Sequence, residues 1–114
     1  MAINQAEISA LIANGTALSA AVGLGDGTLC GIAMPTTWDA ASLSFQVSVD
    51  GGVTWGEMQT ITAAVSVTAA AGQYIALDPA IWRGINHIKV RSGTLAAPVN
   101  QSADRTLTLQ TRRL

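Results

Sequence analysis

Between Ser42 and Asp50 the apolar residues Leu43, Phe45, Val47 and Val49 alternate without a break with Ser42, Ser44, Gln46, Ser48 and Asp50. A side-chain period of two belongs to a strand with one face on a core and the other in water, and no helix satisfies it. Shorter runs of the same kind occur at Thr28–Met34, Thr60–Thr62, Val65–Thr68, Tyr74–Leu77, His87–Arg91 and Arg105–Arg112. The first of these should stop at Pro35, which has no N–H to give to a ladder. Gly25-Asp26-Gly27, Asp50-Gly51-Gly52, Ala71-Gly72-Gln73, Ser92-Gly93 and Ala97-Pro98 punctuate the runs as turns. Short strands spaced about ten residues apart predict an all-β fold, an antiparallel β-sandwich of jelly-roll type with about eight strands.

One short helical turn is predicted at Asp78-Pro79-Ala80-Ile81-Trp82-Arg83-Gly84. Asp78 is suited to cap it, Pro79 fits the first helical position and Gly84 fits the left-handed position beyond its end. The opening residues are ambiguous, because Ile8, Leu11 and Ile12 fit helical spacing while Ile8, Ala10 and Ile12 fit a strand. The extended reading is adopted: residues 1–27 form an amino-terminal arm and first strand, able to pair with a sheet edge of its own or of a neighbour, and residues 28–114 form the sandwich body of a single domain.

With 114 residues the chain is one domain's worth of protein. Charged residues make up only 11%, which leaves much of the surface to small neutral side chains suited to packing against copies or neighbours. The single cysteine, Cys30, excludes an intrachain disulfide and a zinc cluster, and is expected as a small buried hydrophobe. No apolar stretch approaches the roughly 18 residues of a membrane span, and no signal-like segment follows Met1, so synthesis in the cytosol without a cleaved address is expected. All six basic residues lie from Arg83 onward and six of the seven acids precede it. Either acidic and basic strands become neighbours and their charges mix, or oppositely charged ends guide assembly.

Few residues suggest chemistry. His87 is the only histidine, no G-x-S-x-G elbow supplies a serine, and an ordinary sheet-surface role is expected for it. Asp50 and Glu57 could face each other as a glycosidase pair, but 114 residues leave little room for a sugar cleft. A loop calcium on Asp50 or Asp26 is the one conceivable metal site; no metal and no cofactor are expected. Arg105, Arg112 and Arg113 lack interleaved aromatics in a chain of net charge −1, so a solvated or intersubunit role is expected in place of nucleic-acid binding. Trp38, Trp55 and Trp82 each sit beside a turn and read as anchors at the edge of a small core, with a sugar-stacking platform as the alternative.

The most specific motif is SVDGGVTW at 48–55. Ser48, Asp50, Gly52, Thr54 and Trp55 match the five fixed positions of the Asp-box, S-x-D-x-G-x-T-W, which this hairpin resembles. The expected role is structural: Asp50 accepts backbone N–H groups across the turn, Gly51 or Gly52 supplies a positive φ, and Trp55 folds back as a lid. Propellers of the sialidase type repeat the motif, whereas here it occurs once.

The segments LCGIAMPTTWDAASLSFQVSVDGGVTWGEM (29–58), YIALDPAIWRGINHIKVRSGT (74–94) and PVNQSADRTLTLQTRRL (98–114) together resemble a group of small virion proteins of tailed bacteriophages, over about three quarters of the chain. The resemblance implies a non-enzymatic virion component made in the host cytoplasm. A capsid decoration or cement protein is expected, homo-oligomeric and partnered by the major capsid protein or another virion protein, with no nucleic acid or membrane bound. The alternative it leaves open is a carbohydrate-binding module of a tail tip or fibre. Fold integrity is assigned to the hairpin residues and, in the connector, to Asp78, Pro79, Trp82 and Gly84.

Overall fold

The computed structural model describes residues 5–113. They form two antiparallel sheets packed face to face, a β-sandwich with one 3-10 turn. In chain order the strands are β1 (Gln5–Ile12), β2 (Val22–Gly23), β3 (Thr28–Ala33), β4 (Leu43–Ser48), β5 (Gly56–Glu57), β6 (Ser66–Val67), β7 (Tyr74–Ala76), β8 (His87–Ser92) and β9 (Arg105–Arg112). The first sheet has the order β1-β9-β3-β7 and the second β2-β8-β4-β5, with β6 also paired to β4. From β1 to β4 and again from β7 to β9 each step of the chain crosses from one sheet to the other.

Period two decides what points inward. Leu43 and Phe45 of β4, Ile88 and Val90 of β8, Leu107 and Leu109 of β9, and Ala10 and Ile12 of β1 are almost wholly buried between the sheets. The opening segment is therefore extended and not helical. Along all eight residues β1 pairs with the chain's own last strand, from Gln5 opposite Arg112 to Ile12 opposite Arg105. Its ambiguity in sequence has a clear source: Leu11 is apolar yet faces outward and is 45% exposed.

Other expectations shift in detail. The run Thr60–Thr62 is not a strand but the tip of a small loop between β5 and β6, with the Ile61 side chain fully exposed. Cys30 is half-buried, at a point where the β3–β9 register slips between Leu29 and Gly31, so it is the extra residue of a bulge. Trp82 is no edge anchor. The turn Pro79–Trp82, capped by Asp78 Oδ1 accepting from the Ala80 N–H at 3.0 Å, drives the indole into the interior, where it is 0% exposed. There it meets Phe45 edge to face, with centroids 4.8 Å apart.

The charge asymmetry resolves as mixing. Arg91 pairs with Glu57, Arg105 with Asp39 and Arg113 with Asp26, each joining the basic last part of the chain to an acid of the first part.

Gly93 ends β8 with φ +90°, and a Cβ there would lie 2.5 Å from the Ala97 carbonyl oxygen and 2.8 Å from the Val99 nitrogen. Both obstacles are backbone. Gly93→Ala is accordingly expected to lose about 2–4 kcal/mol, from left-handed strain plus overpacking. Gly51→Ala, at φ +78° with open space around it, should lose only about 1 kcal/mol. Urea denaturation of both variants checks the contrast.

Candidate assembly surface

The two outer faces of the sandwich differ in how their polar groups are spent. On the second sheet, β4 and β8 place Ser44 opposite Arg91, Gln46 opposite Lys89 and Ser48 opposite His87. Arg91 grips Glu57 with two hydrogen bonds of 2.6 Å and donates also to Ser44 Oγ, while the Gln46 side-chain amide donates to Glu57. Hydrogen bonds from Arg91, then from Gln46, hold the Glu57 carboxyl below the usual carboxylate range, and Glu57 in turn raises the Arg91 pKa. Lys89 Nζ sits 4.6 Å from the centre of the Trp55 ring. This face is largely satisfied by itself.

The outer face of the first sheet is the opposite. Ser9, Thr106, Thr108 and Gln110 point outward from β1 and β9, and none of their side chains hydrogen-bonds to another described residue. Leu11 and Tyr74 add exposed apolar area, and Gly31 lies directly beneath the Tyr74 ring, where a Cβ would overlap it. The outward-facing charges of these strands, Glu7 and Arg112, lie at one end, while Arg105 at the other end is buried. What remains is a field of short hydroxyl, amide and methyl groups, able to give and accept hydrogen bonds without stripping water from a charge.

The end of the sandwich after β4 carries the SVDGGVTW hairpin. Asp50 Oδ1 accepts from the backbone N–H groups of Val53 and Thr54 and from Ser48 Oγ, and Oδ2 accepts from Thr54 Oγ1. Those donors, with the Thr54 hydroxyl the strongest, hold the Asp50 carboxyl far below its ordinary pKa. Gly51 and Gly52 both have positive φ, and the Trp55 indole N–H closes on the Gly52 carbonyl at 3.2 Å. Ser48, Gly52, Thr54 and Trp55 are thus brought together around Asp50 as one self-contained turn. A shallow pocket of about 220 Å³ lies beside it, lined by Ser48, Val49, Gly51, Gly84, Asn86 and His87. His87 is half-buried, and no cluster of three or more metal-ligating side chains occurs among the described residues.

A polar knot at the opposite end has no local sign in the sequence. Gln101 is 1% exposed and uses its whole amide: Oε1 accepts from the Asp39 N–H and Arg105 Nε, and Nε2 donates to the Asp39 carbonyl and Ser92 Oγ. Arg105, expected to be solvated or intersubunit, is instead 9% exposed and donates to Thr37 Oγ1 and Asp39 Oδ1. Ser102 donates to Asp39 through both its N–H and its hydroxyl. The Ser102 hydroxyl, then Arg105, lowers the Asp39 pKa.

Asp39, Asp50 and Glu57 share a depressed folded-state pKa, so each stabilises the fold above its unfolded-state pKa and loses that stabilisation as pH falls through the folded value. Thermal stability should stay nearly flat above about pH 5 and fall progressively below about pH 4. Asp50→Asn removes one titrating group, and its Tm should decline less steeply over the acid range than that of the native chain.

Ionised, donor-saturated carboxylates at positions 50 and 57 are the reverse of what a general acid requires. Comparisons with protein families, with curated proteins and with solved structures give no match to this chain.

Proposed function

We propose that the chain is a structural subunit of a bacteriophage virion, a capsid decoration or cement protein that acts by occupying repeated positions on the head and catalyses no reaction. The observation that carries this reading is the outer face of the first sheet, whose uncharged side chains are left without partners among the described residues while the opposite face is satisfied internally. A surface of that kind suits packing against a repeating neighbour, and symmetry multiplies a modest contact by avidity. The strand order β1-β9-β3-β7 against β2-β8-β4-β5 supports it further. That winding is read as a jelly roll, with β5 and β6 sharing the place of one strand, an architecture that capsid proteins use. The 48–55 turn is read as an isolated Asp-box that stiffens one end.

The glycan-binding alternative finds less support. Trp82 is buried, Trp55 has Lys89 over its ring, and Trp38 packs against the core with its N–H on the Ala41 carbonyl. An aromatic platform would have to use Tyr74, which is 58% exposed.

The test is co-sedimentation of the purified chain with phage heads that lack it. Thr108→Arg, placed in the middle of the open face, should weaken binding at least about tenfold through a buried unpaired charge while leaving Tm within about 2 °C. Undiminished binding by Thr108→Arg would take this face out of the account. Binding to a glycan array that Tyr74→Ala abolishes would replace the structural reading with the other one.

A further inference from the structure

Among the described residues the sandwich has four sheet edges, and three of them are short or broken. At one end of the first sheet β7 is three residues long; β2 at one edge of the second sheet is two; and the other edge is split into β5 and β6, two residues each. Very short edge strands are a common device against unwanted pairing. The fourth edge has none of that protection. β1 is eight residues long, paired throughout on one side with β9, and terminal in its sheet on the other. Its sequence, QAEISALI, contains no Lys, Arg, Pro or Gly, and its pairing runs without a bulge. In an antiparallel ladder alternate residues turn their N–H and C=O groups away from the partner, so a row of backbone groups along β1 has no strand to pair with among the described residues.

We infer that β1 is an assembly edge, and that two copies of the chain pair through it antiparallel about a twofold axis, joining their four-stranded sheets into one continuous sheet. The inference is independent of the virion reading, although such a sheet would also extend the open face across both copies.

The occupant follows from what an incoming strand must satisfy. Ile8, Ala10 and Ile12 of β1 face the core, the last two at 0% exposure, and Glu7, Ser9 and Leu11 face outward. A partner strand must carry the same alternation, because a slip of one residue turns every side chain to the wrong face. A second β1 carries it by identity, and a twofold contact uses the same segment twice. The only charge on the strand, Glu7, then selects the register. An axis at Glu7 opposes two carboxylates and shortens the pairing. With the axis at Ile8, Glu7 lies opposite Ser9 of the second copy. With the axis at Ser9, Glu7 lies opposite Leu11 of the second copy and the two serines face each other. Both registers avoid like charges, and both put small or apolar side chains at the centre.

An edge pairing of this length is a small interface, so dissociation is expected within about 1 μM to 1 mM. Sedimentation of the full chain across that range should show a reversible dimer, and hydrogen exchange should show β1 amides gaining protection as concentration rises. That second readout needs no variant. Ser9→Glu opposes a carboxylate to another in either register and should raise the dissociation constant roughly three- to tenfold. Ser9→Lys distinguishes the registers, since it meets Glu7 and tightens an Ile8-centred dimer but meets itself and loosens a Ser9-centred one. An unchanged Tm for both variants excludes a folding defect at this exposed position. A chain that stays monomeric to about 1 mM with unprotected β1 amides overturns the inference. So does a dimer indifferent to Ser9→Glu, or protection of β1 that appears only when a different protein is added.

Discussion

Replacing Trp82 by alanine is expected to remove about 3–5 kcal/mol of stability, the range for truncating a large buried aromatic. Trp82 is the largest of the fully buried side chains, and it links the turn at Pro79 to Phe45 across the interior. A domain of this size has about 5–15 kcal/mol in all, so the variant should melt far below the native chain or fail to accumulate. Trp82→Phe should do much better. The indole N–H is buried without a hydrogen-bond partner among the described residues, so phenylalanine loses volume but also removes an unsatisfied donor. A cost for Trp82→Phe below half that of Trp82→Ala, by urea denaturation with unchanged m, is the expected result. Equal costs would mean that the indole nitrogen is satisfied in solution.

The second large effect is expected at Gln101. Substitution by leucine keeps the volume but strips partners from the Asp39 N–H and carbonyl, Ser92 Oγ and Arg105 Nε at once. Buried polar groups left unpaired cost about 1–3 kcal/mol each, and with partial rehydration at the Asp39 side the total should reach about 3–5 kcal/mol. Because Arg105 binds both Gln101 and Asp39, the losses in Gln101→Leu and Arg105→Met should be strongly non-additive. Simple additivity in the double variant would show that the knot is a set of separate contacts.

These two residues mark where the sequence stops being legible. The strands β4 and β9 could be read because one of their faces is core and the other water, so Leu43, Phe45, Leu107 and Leu109 alternate visibly with polar neighbours. The hairpin at 48–55 was equally readable, since each of its fixed residues interacts within four positions of itself. Strands of two residues, such as β2 and β5, are too short to display a period, whereas β6 lies inside the alternating run Val65–Thr68. Gln101 contacts Asp39 across 62 positions, and a lone glutamine in a loop gives no local sign of that. Trp82 stands beside a turn in sequence, but whether such a turn sits on the rim or plugs the core depends on both sheets. For the same reason the sequence leaves β1 ambiguous between helix and strand and conceals that it is an edge. Position in a sheet is a property of the topology, whereas periodicity reports only which face is buried.

The proposed function is that the chain packs a sheet-built body against repeating neighbours on a virion. Its most direct test is whether the chain is present on purified phage particles, and at what copy number and position, by quantitative mass spectrometry together with image reconstruction. The expected result is a fixed stoichiometric ratio to the major capsid protein, with density for the sandwich at symmetry-related sites and the outer face of the first sheet or the β1 edge in contact. A chain found only free in the lysate, and never on assembled particles, would contradict it.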